Sequence, residues 1–171
     1  MKPVIEEQQI VTIVYELRDG NADGELLERM DSRYPFTFLF GNGKLLKSFE
    51  ENLRGLSVDD GFEFILTVDE AYGKNNALNI LKIEKRDFHR ASDVPEDYIE
   101  IGNLVNLMDD DGLNHNGKII DITDTYIQVD FNHAMVDKEL HFKGNVIAIL
   151  PATLEELIKG YYLPENGIRR S

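Results

Sequence analysis

Residues 10–17, IVTIVYEL, alternate so that Val11, Ile13, Tyr15 and Leu17 fall on one side of an extended chain and Ile10, Thr12, Val14 and Glu16 on the other. That period of two makes the segment a strand, and its apolar content on both sides allows it to be covered on both faces. Such a strand needs sheet partners, and several follow. RDGNADGE carries the Asp, Gly and Asn of a turn, with ELLERM as the returning strand. PFTFLFGNG sends Phe36, Phe38 and Phe40 to one side of another strand, and after an Asp-Gly turn GFEFILTV does the same with Phe62, Phe64, Leu66 and Val68. Near the C-terminus ELHFKGNVIAIL is a further strand rich in β-branched residues.

Helical spacing is confined to short stretches. Leu45, Phe49 and Leu53 recur every four residues with Leu46 beside them, which predicts a helix over residues 45–54 stopped at Gly55. TLEELIKG carries a capping box, Thr153 with Glu156, and a terminating Gly160, predicting a second short helix. From about Lys74 the texture changes to fewer aromatics and more charge. The stretch up to Asn103 reads as short irregular pieces, after which LVNLM, GKIIDIT and YIQVDF are expected as three strands joined by turns at DDDGLNHNG and DTD.

With 171 residues, of which 42% are hydrophobic, the chain can bury a core in one domain or two small ones. Its formal net charge of −14 comes with singly scattered basic residues, so no stripe exists to neutralise a phosphate backbone and no nucleic-acid partner is expected. No apolar run approaches the ~18 residues of a membrane span, and the glutamates and glutamines before IVTIVYEL do not suit a secretory segment. A soluble cytoplasmic protein without membrane association is expected. Cysteine is absent, which excludes disulfides and thiolate metal sites.

Motifs for familiar chemistries are weak. DGNADG matches the first half of a calcium loop, but the position that should hold a bidentate glutamate is Met30, so a hairpin turn is expected there. The histidines at 89, 115, 133 and 141 lack the close spacing of a zinc site, and no metal or other cofactor is expected. His133 reads as a loop residue bonding its own backbone, and His141 as a strand residue on the face opposite Phe142. Acidic pairs such as Asp59 with Asp60 read as solvated turns, and there is no phosphate loop or nucleophile elbow. The excess of rings, Tyr15, Phe36, Phe38, Phe49, Tyr72 and Phe142, calls for either a core or a ligand.

YELRDG, PFTFLFGNGKLLKSFEENLRGLSVDDGFEFILTVDEAYG and LHFKGNVIAI together resemble the FKBP family of peptidyl-prolyl isomerases. The long segment between Ala-Tyr-Gly and NHAMVDKELHF is similar to the SlyD-type subgroup, in which an insert-in-flap domain interrupts the FKBP domain. The resemblance implies a mainly β (α+β) protein, an FKBP-like antiparallel half-barrel wrapping a short helix, with a small β-rich insert. It implies an isomerase domain from residues 1–73 and 130–160, an insert at 74–129 and a tail at 161–171, with Asn132 and His133 marking the return to the first domain.

Carried over by position, the resemblance implies a proline pocket lined by Tyr15, Phe36, Leu45, Leu46, Tyr72 and Phe142, floored by Phe49, with Glu28 as its polar wall. Phe49 stands where the family often has tryptophan, and the subgroup's histidine-rich metal-binding tail is replaced by YYLPENGIRRS, so no nickel role is carried over. The implied function is a prolyl isomerase and folding chaperone, probing unfolded or proline-containing polypeptides as a monomer. Ile80, Ile83, Leu104 and Tyr126 are the implied polypeptide contacts in the insert. The alternative is a pure holdase with an inactive pocket; a β-barrel module for a small ligand would require the resemblance to be accidental.

Overall fold

The computed structural model describes residues 2–92 and 94–164; residues 165–171 of the expected tail lie outside the described residues. In chain order the first elements are β1 (Gln9–Asp19), β2 (Leu26–Met30), β3 (Phe36–Leu39), α1 (Lys47–Leu53) and β4 (Gly61–Leu66). There follow β5 (Ile80–Glu84), α2 (Lys85–Ala91), β6 (Leu104–Met108), β7 (Asn114–Ile122) and β8 (Tyr126–Asp130), and then β9 (Leu140–Pro151) and α3 (Leu154–Lys159). The chain divides into two compact units, one of Met1–Gly73 with Asp137–Ser171 and one of Lys74–Val136. The return to the first unit thus falls after Val136, whereas the family resemblance implied residue 130.

The first unit is built on β1. One edge of β1 pairs antiparallel with β9 along its whole length, while the other edge pairs with β3 through residues 10–13 and with β2 through residues 15–18. β4 closes the other side of β9, giving the order β2-β1-β9-β4 with β3 attached to β1. Val11, Ile13, Tyr15 and Leu17 are buried; on the opposite face only Ile10 is, and Thr12, Val14 and Glu16 are half-covered. The expected cover on both faces is therefore complete on one only. DGNADG closes the β1–β2 hairpin: the Asp23 amide donates to Asn21 Oδ1 at 2.8 Å, and the Asp19 carboxylate pairs with Lys138 at 2.9 Å.

Gly144 on β9 lies opposite Tyr15, and a Cβ there would stand 1.9 Å from the Val14 carbonyl oxygen and 2.8 Å from Tyr15 Cβ. Only glycine lets these strands approach so closely beneath the tyrosine.

Helix α1 is shorter than its four-residue spacing suggested. Leu46, at φ −56° and ψ 130°, is its extended N-cap, so Leu45 and Leu46 precede the helix, which buries Phe49, Glu50 and Leu53. Glu50 is buried because its carboxylate accepts the Gly41 amide at 2.8 Å. Strand β4 likewise stops before Val68. Thr67 and Glu70 bond each other's backbone amides, Thr67 N donating to Oε1 at 3.0 Å and Glu70 N to Oγ1 at 3.3 Å, which turns the chain instead. Helix α3 has the expected capping box and a left-handed Gly160 at φ 81°.

The second unit is a sheet of order β5-β8-β7-β6, with all neighbours antiparallel. Val105, Leu107, Ile119, Ile127 and Val129 form one buried cluster with Phe88 of α2, and Ile83, Val94, Ile99 and Phe131 pack against it. Residues 74–103, expected to be irregular, contain β5 and α2. Their signal is masked because α2 has just one large apolar residue, Phe88, in a run of charge. Strand β7 starts at Asn114, three residues before the sequence expectation, because Asn116 and Asn106 bond side chain to side chain at 2.7 Å and continue the ladder.

Candidate active site

The rings of the first unit arrive from five elements. Tyr15 on β1 stands 6.2 Å from Phe36 of β3, 6.4 Å from Phe49 of α1 and 5.6 Å from Phe142 of β9, centroid to centroid, each in an edge-on arrangement. Phe49 and Phe142 are 5.0 Å apart. Edge-to-face geometry of this kind directs the positive rim of one ring at the negative face of the next and fixes ring orientation beyond what burial does. Phe64 of β4 also belongs to the cluster, 6.0 Å from Phe49 and 5.4 Å from Phe142, and Phe38 lies 5.0 Å from Phe36. Spacing alone marked Phe38 and Phe64 as sheet residues; the cross-strand register Phe64↔Phe142 is what brings Phe64 to the others.

The Tyr15 hydroxyl donates to Glu28 Oε1 across the β1–β2 pair. Burial, that hydrogen bond and the carboxylate's charge all push the Tyr15 phenol upward, in that order. Tyr72 is raised too, by burial first and then by the charge of Glu28. Glu28 contacts Tyr15 directly. Tyr15 is buried, whereas Tyr72 is 38% exposed. Leu45 and Leu46 are half-buried on the extended segment that leads into α1.

Sequence reasoning named eight residues here. Phe36, Phe49 and Phe142 each contact the Tyr15 ring, Phe49 and Phe142 also contact each other, and Glu28 is bonded to Tyr15. Leu45 and Leu46 lie on the extended segment just before α1. His141 is buried on the other face of β9, its Nε2 2.8 Å from Glu63. His133 accepts the Met135 amide at its Nδ1 at 3.0 Å, a loop residue bonding its own backbone, within the second unit.

In the second unit the four named residues separate. Ile83 packs against the core, Ile80 and Tyr126 are half-buried, the latter with Lys82 Nζ 5.0 Å from its ring centroid, and Leu104 is 70% exposed. Leu104 lies on β6, which among the described residues pairs only with β7. A cleft of about 470 Å³ lined by Val94, Pro95, Tyr98, Leu104, Val105 and Asn106 runs beside it. A larger groove of about 1030 Å³ includes Leu104, Val105, Gly117, Phe131 and Val136. Ile101, Met108 and Leu113 are also exposed, a feature that no periodicity signals because they sit in or beside turns.

Comparison with known proteins identifies the family. The FKBP-type peptidyl-prolyl cis-trans isomerase family matches residues 2–87. FKBP-type peptidyl-prolyl cis-trans isomerase SlyD of Haemophilus influenzae is 31% identical over 92% of this chain and 78% of its own length. Its namesakes from Yersinia pestis and Escherichia coli K12 are 29% and 28% identical, each over 89% of this chain and 74% of theirs. The chain belongs to the FKBP-type peptidyl-prolyl cis-trans isomerases, is of the SlyD kind, and is a rotamase.

Proposed function

We propose that the prolyl bond turns against the Tyr15, Phe36, Phe49 and Phe142 rings, with Leu45 and Leu46 as side walls, and that the second unit holds unfolded polypeptide for that site. The observation that carries the pocket reading is the convergence of three rings, Phe36, Phe49 and Phe142, on Tyr15, whose hydroxyl bonds Glu28. Rotation must break amide resonance, a barrier of roughly 18–20 kcal/mol. The twisted amide has lost most of its charge separation, so an apolar wall favours it over the planar ground state, and this differential is what accelerates the reaction. Glu28 occupies the Tyr15 hydroxyl and anchors that ring. Tyr72, more exposed than Tyr15, is the donor to the carbonyl that precedes proline.

The second unit supplies reach. Its outer strand β6 offers unpaired backbone groups beside an apolar cleft, the arrangement that accepts an extended chain as an added strand. Tethering a client there raises its effective concentration at the pocket. The protein acts as a cytoplasmic monomer in this scheme.

Cis-to-trans relaxation of a short Ala-Phe-Pro peptide is the test. Acceleration by the wild-type chain that falls about ten-fold in Tyr72→Phe, on the scale of one strong hydrogen bond, supports Tyr72 as the donor. Equal acceleration by both proteins would remove Tyr72 from the chemistry.

A further inference from the structure

The segment between β3 and α1 ends in Leu45 and Leu46, the walls assigned to the pocket, yet α1 begins only after them. Something other than helix must therefore hold these leucines. At its start the segment is fixed by Glu50, whose carboxylate takes the Gly41 amide at 2.8 Å. One residue later Asn42 makes two bonds with opposite ends of its amide. Its Oδ1 accepts the Lys44 amide at 3.1 Å, shaping the turn, and its Nδ2 donates to the Gly160 carbonyl at 2.6 Å. Gly160 is the C-cap of α3, well over a hundred residues away in sequence.

The anchor at Gly160 is itself fixed. The fully buried Glu156 carboxylate accepts the Thr153 amide at 3.0 Å through one oxygen and the Leu163 amide at 2.9 Å through the other. This binds both ends of α3 to one side chain. Lys44 Nζ adds a second contact, 5.1 Å from the Tyr161 ring centroid. The chain thus runs from a rigid C-terminal cap, through one amide, to the turn that delivers Leu45 and Leu46.

We infer that Asn42 is a positioning residue for the isomerase: by bonding the α3 C-cap it sets the approach of Leu45 and Leu46 to the substrate, so that the C-terminal helix tunes substrate affinity. The inference rests on the pocket assignment above. Asn42→Asp is the discriminating variant, since it keeps the acceptor for Lys44 and removes the donor to Gly160. The expected result is a KM for a prolyl peptide raised about three- to ten-fold, the span of one lost hydrogen bond, with kcat within about two-fold. Tyr161→Ala weakens the same junction without touching the turn and should raise KM in the same direction by less.

An unchanged KM in both variants overturns the inference, as does a loss that appears equally in kcat and follows a lowered thermal midpoint. Leu46→Ala separates this from the underlying assignment. If Leu46→Ala raises KM while Asn42→Asp does not, the positioning role falls and the pocket stands. If Leu46→Ala and Phe49→Ala both leave KM unchanged, the pocket assignment falls and the positioning role with it.

Discussion

In the sheet of β1–β4 and β9 the large side chains are rings that touch one another, held by a buried tyrosine bonded to a carboxylate. In the sheet of β5–β8 the fully buried side chains are aliphatic around a single ring, Phe88, and a second population of Leu104, Met108, Leu113 and Ile101 is left exposed. The first arrangement spends its rings on a fixed shape, while exposed apolar side chains occur in both units, Leu154 and Ile158 of α3 among them, and in the second several lie on or beside the outer strand β6. A site that must distinguish a twisted amide from a planar one needs fixed walls, because a shift of a fraction of an ångström alters the difference in binding that drives the rate. A surface that receives many sequences needs exposed apolar area and backbone groups, and little shape.

That contrast can be broken most severely at Phe88. It is the one ring in a core of six buried residues, and Phe88→Ala should cost about 3–5 kcal/mol, enough to unfold the second unit. Suppression of client aggregation should disappear while isomerisation of a short peptide persists; equal loss of both would mean that the units do not act separately. Gly144→Ala strikes the ring side. A Cβ 1.9 Å from the Val14 carbonyl oxygen must push β1 and β9 apart, at about 1–3 kcal/mol by analogy with overpacking. Chemical denaturation should report that loss, and peptide turnover should fall as Tyr15 shifts.

Glu28→Gln is gentler, about 1–2 kcal/mol for a hydrogen bond weakened by loss of charge, but it has a signature in pH. Folding raises the Tyr15 pKa, so between the unfolded and folded values the native state holds a proton that the unfolded state has lost. The resulting stability is complete below ~10, where an unfolded tyrosine titrates, and is lost as pH rises toward the folded value. Because burial, the first cause, persists in Glu28→Gln, both proteins should lose stability between pH 8 and 11 and diverge only at higher pH, where the variant's lower folded value is reached first; a wild-type midpoint that does not fall past pH ~10 would refute the raised phenol. The smallest effect on stability belongs to Leu104→Ser. At an exposed edge it should change stability by within about 0.5 kcal/mol while weakening aggregation suppression, and an unaltered holding capacity would exclude β6 as the docking edge.

The ring side was largely legible in the sequence because its strands alternate: Phe36 with Phe38 and Phe62 with Phe64 reveal their face by spacing alone. What spacing could not give was register, and Phe64 joins the cluster only through its pairing with Phe142. The Leu45–Phe49–Leu53 period overstated α1, since a leucine in an extended wall and one on a helix face look alike in a string of letters. The second unit was harder to read. β5 and α2 are short and charged, and their existence depends on a single buried phenylalanine meeting residues from β6 to β8. The resemblance to a family supplied the order of the domains, while the later return after Val136 follows from how Asn132 is used: it bonds both backbone groups of Asn76, amide to Oδ1 at 3.0 Å and Nδ2 to carbonyl at 3.1 Å.

Those bonds tie the two ends of the second unit to each other, and the Asp137 amide donates to the Gly73 carbonyl at 2.7 Å just outside them. To the first unit, residues 74–136 are therefore equivalent to a tight loop, because the closure entropy of the long segment is met by the segment's own fold. Its length and sequence can then drift without disturbing the register of β4 and β9. The strands of the first unit thus meet the second as a short closed turn, whatever number of residues lies between Gly73 and Asp137.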